Sequence, residues 1–284
     1  MRILLTTTSF TDTPGKHQEK LKSLKYKIDE LRGPLKEEIL LPIISNYDGI
    51  ICGDDEITRK VIHNGKKGKL KVISKYGIGL DKIDLKSADE FGIKVCKTPG
   101  VNHITVAEHI LALLFSYFKN IHLEYNITKA GKWKRLIGNE IFGKKIGIVG
   151  YGRIGYELAK RSKALGLNVK AYDPYLSREV MNDSNIEFED SLNSLVNDIE
   201  ILALTLPLNK ETEGIICKSV IDSASKRMVI VNTSRALVIN QIDLIQSLKT
   251  NKIEAYLTDV LEEEPIIQNH PLNEFNNVII TPHI

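Results

Sequence analysis

Lys145-Ile-Gly-Ile-Val-Gly150-Tyr-Gly152-Arg-Ile-Gly155 is the stretch whose reading decides the fold. Its first five residues read as a short buried strand and Ile154 to Leu165 as a helix. Gly-x-Gly-x-x-Gly therefore falls on the turn between them. Gly150 permits a tight turn, Gly152 lets the backbone come close to a pyrophosphate, and Gly155 lets the helix pack near the strand. Phosphates at such a turn meet the free N–H groups at the positive end of the helix, here around Arg153 and Ile154. Asn168–Tyr172 reads as the next strand, and Asp173 ends it. An acid about 20 residues past the glycines accepts hydrogen bonds from a ribose 2′-hydroxyl and repels a 2′-phosphate, which favours NAD over NADP. A glycine-rich turn alone can serve packing. The strand before it, the helix after it and the acid at that distance together point to a dinucleotide.

The chain of 284 residues is long enough for two domains, and 42% hydrophobic with 26% charged residues is a globular composition. A net charge of +3 argues for no anionic polymer. The basic run Lys66-Lys67-Gly68-Lys69-Leu70-Lys71 reads as a solvated loop, since no aromatic residue interleaves with it to stack on bases. Three cysteines, Cys52, Cys96 and Cys217, without Cys-x-x-Cys spacing suggest reduced thiols and a cytoplasmic protein. No stretch has the pattern of a signal peptide or the length of a membrane span, so neither a membrane nor a nucleic acid is expected as partner.

Strand and helix patterns alternate on both sides of the glycine loop. Before it, strands are expected at 2–7, 47–52, 70–74 and 93–96, and helices at 18–24, 34–44 (with Pro34 in the first turn), 58–64 and 85–91. Pro99-Gly100 then breaks the chain. Ile104–Phe118 is the longest apolar helical run, with Asn102 or Thr105 as its cap. It is too apolar for a surface helix and is expected between domains or against another subunit. Residues 122–138 are polar apart from Trp133 and scattered aliphatics. From Lys145 strands are expected at 145–149, 168–172, 199–204, 228–231, 253–258 and 277–280. The fold class is α/β: two Rossmann-like doubly wound domains with parallel sheets and a cleft between them, divided as 1–98 and 99–284.

Three stretches follow strands of the second domain, and ligands of doubly wound sheets sit at the carboxyl ends of strands. They are Val231-Asn-Thr-Ser-Arg235, Thr258-Asp259-Val-Leu-Glu-Glu-Glu264-Pro265 and Thr281-Pro282-His283. Hydride transfer from a 2-hydroxy acid needs a cation on the carboxylate, a base for the hydroxyl proton and an acid to orient that base. Arg235, His283 and Glu264 can fill these roles. Asp259 can hydrogen-bond the nicotinamide carboxamide. Blander readings stand beside them: a surface ion pair for Arg235, a solvated acid among Glu262–Glu264, a loop histidine for His283. Lys75 is either solvated or a contact to an anionic substrate.

These motifs, with Lys75-Tyr-Gly77-Ile78-Gly79-Leu-Asp-Lys-Ile-Asp84, Thr98-Pro-Gly-Val-Asn102, Asp173-Pro174 and Leu204-Thr205-Leu-Pro207-Leu208, resemble the D-isomer-specific 2-hydroxyacid dehydrogenases over essentially the whole chain. The resemblance implies that residues 1–98 bind substrate and 99–284 bind NAD. It implies Arg235 as substrate clamp, Glu264 as partner acid and His283 as general acid/base. It also implies contacts to the substrate carboxylate from Gly77, Ile78, Gly79 and Asn102. Thr205 and Pro207 would border the adenine side of the cofactor, and Thr233 would contact the cofactor. The best single substrate pair is D-3-phosphoglycerate and 3-phosphohydroxypyruvate, as in serine biosynthesis. The alternatives are a glyoxylate or hydroxypyruvate reductase, a D-lactate-type enzyme, or an NAD(H)-sensing scaffold with weak catalysis. A homodimer through residues 101–138 is expected, with Trp133 as anchor or else as a packed loop residue. Family members carry glycine where this chain has Ala236, and small residues near Tyr256 and Thr258. The acids Asp54 and Asp55 stand where a basic residue would read a phosphate. The resemblance also implies a helix past the histidine that returns to the first domain, and the sequence ends at Ile284.

Overall fold

A computed structural model describes residues 1–183 and 186–283. The chain forms two compact units, Met1–Val101 and Asn102–Ile284. The division follows Val101 rather than residue 98, because the helix that Asn102 introduces packs into the second unit.

The first unit is built on a parallel sheet of β1 (Arg2–Leu5), β2 (Lys27–Glu30), β3 (Gly49–Cys52), β4 (Val72–Lys75) and β5 (Lys94–Cys96), in the order β2-β1-β3-β4-β5. Leu4, Ile50, Ile62 and Ile73 centre its core. Cys52 belongs to that core, and burial pushes its thiol up to about 12. Thr58 caps the helix Arg59–Lys67, its hydroxyl accepting from Val61 N. Lys66 and Lys67 end that helix exposed, where the helix dipole favours cations.

Two departures from the sequence expectations lie here. The helix expected over 34–44 shrinks to Glu37–Leu40 with a 3-10 turn at Ile44–Asn46, and Leu35 N donates instead to the Asp55 carboxylate outside the helix. Strand β2 was not expected. Its Lys-Ile-Asp-Glu sequence has no buried face, and its pairing with β1 fixes it at the sheet edge.

The second unit carries β6 (Lys145–Val149), β7 (Asn168–Tyr172), β8 (Glu187–Phe188), β9 (Ile201–Leu204), β10 (Val229–Asn232), β11 (Ala255–Thr258) and β12 (Val278–Ile280). Their order, β12-β11-β10-β9-β6-β7-β8, is parallel throughout and reverses between β6 and β9. Strands β9, β10 and β11 are buried along their whole length, as a sheet covered on both faces requires. Both units are thus Rossmann-like doubly wound α/β layers.

The apolar helix His103–Phe118 finds its partners within the second unit. Ala107, Ile110, Leu114 and Phe118 pack with Ile146, Ile148, Leu158 and Val231, beside the helix Arg153–Ala164. A helix Ile121–Lys129 follows that the polar sequence did not reveal, and none of its residues is buried. Residues 132–140 then run as an irregular strap, tied by Leu136 N to Glu124 Oε1 (2.8 Å) and by Asn139 N to the Phe118 carbonyl (2.7 Å). Trp133 on this strap is 95% exposed. No helix among the described residues is long and apolar enough to cross a membrane.

Candidate active site

The glycine loop sits where the strand order of the second unit reverses. Gly150 has φ +90°, and a Cβ on it would come within 2.9 Å of the Leu206 backbone. A Cβ on Gly155 would stand 2.3 Å from the Gly150 carbonyl oxygen. Gly152 differs: nothing lies within 4 Å of where its Cβ would be. Two glycines are therefore demanded by the protein's own packing, and the third faces space. Gly152 is also the N-cap residue of the helix Arg153–Ala164, which among the described residues has no side-chain cap. Thr205, next after β9, stitches the loop by donating its hydroxyl to the Gly150 carbonyl at 2.6 Å. Asp173 ends β7, and its carboxylate accepts from Tyr151 N (2.8 Å) and Tyr175 N (3.0 Å). The Pro207 carbonyl takes the Thr212 hydroxyl at 2.6 Å. Thr233 Oγ1 is buried and has no hydrogen-bond partner among the described residues. An open glycine, an uncapped helix start, an acid at the next strand end and an orphaned hydroxyl fit a bound dinucleotide.

The ends of β10, β11 and β12 lead into the three stretches singled out in the sequence. Asn232 shapes the turn after β10: Oδ1 accepts from Ser234 N (3.0 Å), and Nδ2 donates to the Arg235 carbonyl (2.9 Å). Arg235 emerges half-buried, with Nη1 donating to the Ser234 carbonyl at 2.7 Å. Ala236 opens a 3-10 turn, and the only non-glycine residues at positive φ among the described residues are Lys25, Asn120 and Asn251. Alanine therefore carries no backbone penalty there. Thr258 laces the neighbouring strand ends, donating to the Asn232 carbonyl at 2.8 Å and accepting from Val260 N at 3.1 Å. Tyr256 is wholly buried behind it, and its hydroxyl takes the Asn232 amide at 3.3 Å. Asp259 follows, 5% exposed. Glu264 and His283 meet: Nδ1 of the imidazole lies 3.0 Å from Glu264 Oε2, while Oε1 accepts from Leu261 N at 2.9 Å. A carboxylate on Nδ1 fixes that nitrogen as the donor, which makes Nε2 the acceptor of the neutral ring.

In the first unit Lys75 is only 5% exposed, and its ammonium donates to the Gly53 carbonyl (2.7 Å) and to Asp54 Oδ1 (2.6 Å). Gly77 N donates to Thr98 Oγ1 at 2.9 Å, whereas the amides of Ile78 and Gly79 make no hydrogen bond among the described residues. Asn102 is the N-cap residue of the helix His103–Phe118 without capping it, and its Oδ1 is buried with no partner among the described residues. Asp55, fully buried, gathers Thr6 Oγ1 (2.6 Å), Leu35 N (2.7 Å) and Gly53 N (2.9 Å). Its role, like those of Asn232 and Thr258, had not been read from the sequence. Asn232 alone left a local signal, an Asx turn at a strand end. No group of three or more His, Cys, Asp or Glu side chains suited to a metal ion occurs among the described residues.

Residues 111–284 match the family model described as "D-isomer specific 2-hydroxyacid dehydrogenase, NAD binding domain". The chain is 38% identical over 271 residues to the D-3-phosphoglycerate dehydrogenase of Methanocaldococcus jannaschii, a match spanning 94% of this chain and 51% of the relative. It is 34% identical over 278 residues to the hydroxypyruvate reductase of Thermotoga maritima, spanning 96% and 89%. The structure of NAD+-bound 3-phosphoglycerate dehydrogenase from Entamoeba histolytica superposes with a TM-score of 0.77 at 26% identity, covering 99% of this chain and 86% of the other. This chain belongs to the D-isomer-specific 2-hydroxyacid dehydrogenases, and its second unit is their NAD-binding domain. It spans about half the length of the Methanocaldococcus jannaschii, Archaeoglobus fulgidus and Synechocystis phosphoglycerate dehydrogenases.

Proposed function

We propose that the protein interconverts a D-2-hydroxy acid and its 2-oxo acid with NAD as hydride carrier. The observation that carries this reading is the 3.0 Å contact of His283 Nδ1 with Glu264, whose other oxygen is anchored on Leu261 N. NAD, which the Gly150–Gly155 turn and Asp173 would hold, would supply the acceptor for the hydride leaving carbon 2 of the hydroxy acid. His283 Nε2 takes the hydroxyl proton, and the Glu264 carboxylate stabilises the imidazolium that results. Arg235 holds the substrate carboxylate through its planar fork. Asn102 is a further candidate contact to that carboxylate and Asp259 to the carboxamide of the cofactor, and in the first unit Gly77, Ile78 and Gly79 are candidate substrate-binding residues. A second copy of the chain is the proposed partner at residues 101–138, where Trp133 stands exposed.

D-3-phosphoglycerate and 3-phosphohydroxypyruvate are the first substrate pair to test. A second reading, an unphosphorylated acid such as hydroxypyruvate or glyoxylate, is favoured by Lys75, whose charge is already answered by Asp54. The test follows NADH absorbance with a panel of 2-oxo and 2-hydroxy acids, with and without a phosphate. His283→Ala and Arg235→Ala are expected to lower kcat/KM by about 10²–10⁴-fold. Wild-type rates in either variant refute the assigned roles. Tight NADH binding without turnover of any acid would make the protein an NAD(H)-sensing scaffold instead.

A further inference from the structure

His109 lies on the apolar helix His103–Phe118, and its side chain is 16% exposed. A polar ring on a buried helix needs a partner, and this one finds it 172 positions along the chain. Nε2 shares a hydrogen bond of 3.1 Å with Thr281 Oγ1. The same nitrogen is 3.9 Å from Asp259 Oδ2, too far for a hydrogen bond but close for an electrostatic contact. Thr281 is the residue at which β12 finishes its pairing, its N–H donating to the Thr258 carbonyl at 3.0 Å. Only Pro282 separates it from His283, and Asp259 directly follows Thr258.

We propose that His109 is a positioning residue, holding the Thr281-Pro282-His283 segment and the Asp259 carboxylate in register with each other. The inference rests on the reading of His283 as the acid/base group. The backbone bond from Thr281 fixes one side of the segment. The hydroxyl bond to His109 fixes the other, so the segment cannot pivot about β12. Proline at 282 removes a further freedom by fixing φ, which carries the orientation set at Thr281 on to the imidazole at 283. The helix supplies a rigid mounting, since its neighbours Ala107, Ile110, Leu111 and Leu113 are all buried. Displacing a reacting group by about 1 Å costs about 10²-fold in rate. Loss of the His109 bond is therefore expected to reach turnover without removing any group that touches substrate.

The test compares His109→Leu, His109→Gln, Thr281→Val and the double variant His109→Leu/Thr281→Val in the full chain, beside His283→Ala. The expected result is a fall of about 10- to 100-fold in kcat for His109→Leu and for Thr281→Val. KM and the NADH dissociation constant are expected to stay within about 3-fold, and the double variant to be no worse than either single one. Glutamine, whose amide reaches about as far as Nε2, is expected to restore most of kcat. Full kcat in His109→Leu, no recovery with glutamine, or multiplying defects in the double variant would overturn the proposal. Should His109→Leu fail to fold, Thr281→Val with unchanged kcat overturns it equally. A wild-type rate in His283→Ala means that the underlying reading has failed. An inactive His283→Ala beside an unaffected His109→Leu means that only this inference has.

Discussion

In the first unit the strand order reverses between β1 and β3, and Asp55 occupies that place, bonded to Thr6, Gly53 and Leu35. In the second it reverses between β6 and β9, and the chain places glycine there, with nothing within 4 Å of where a Gly152 Cβ would be. Two sheets of one winding thus treat their switch points in opposite ways. One spends its strand-end donors on its own carboxylate, and Lys75 and Thr98 close the neighbouring loop in the same manner. The other, among the described residues, leaves a helix start without a side-chain cap and a threonine hydroxyl without a partner. A doubly wound fold offers a crevice at its reversal point; the side chains decide whether a ligand or the protein fills it.

The contrast breaks most readily at the glycines. Gly155→Val is expected to abolish NADH binding and weaken the fold, because any Cβ collides with the Gly150 carbonyl. Gly152→Ala, with open space around it, is expected to leave the unfolding midpoint unchanged while NADH affinity falls about 10-fold, or ~1.4 kcal/mol. Calorimetric titration with NADH beside a thermal melt reads both. An equal loss of stability in the two variants would mean that Gly152, too, is a packing residue.

The converse holds for Asp55. Asp55→Ala strands the buried Leu35 N–H and the half-buried Gly53 N–H, while the Thr6 hydroxyl keeps the Ile51 carbonyl at 3.3 Å; at roughly 1–3 kcal/mol for a stranded donor the first unit is expected to lose about 2 kcal/mol or more. NADH binding by the second unit is expected to persist, provided the melt shows that unit still folded. Lost NADH affinity at full stability would make Asp55 a ligand residue rather than a plug.

A smaller effect sharpens the comparison at the sheet edge. The hydrogen bond from Lys170 holds the Glu189 carboxyl below the usual carboxylate range. A lowered folded value stabilises above the unfolded value of about 4.3 and ceases to as pH falls through the folded one. Wild type is therefore expected to melt above Glu189→Gln at pH 6, with the gap closing toward pH 3. A gap that is constant with pH would assign the difference to packing.

Much of this was legible in the sequence where burial writes a pattern. Strands β6 and β7 matched their expected bounds, and the glycine loop, Asp173 and the Glu264–His283 pair lay in stretches that the sequence had singled out. The misses share a physical cause. Strand β2, strand β8 and the helix Ile121–Lys129 bury little, so no apolar period marks them. Helix 34–44 was overdrawn at its start, where Leu35 N bonds Asp55, twenty residues on, a contact that only the fold makes. His109 and Thr281, Thr258 and Asn232, Thr205 and Gly150 are polar pairs made only by the fold, and spacing along the chain holds no trace of them.

Trp133 is the only tryptophan in the chain, and its indole projects from the strap into water. The intrinsic emission of the protein therefore reports on one surface segment, undiluted by any interior fluorophore of its kind. A second copy settling there would shift that emission to the blue as concentration rises, so assembly can be followed optically without attaching a dye.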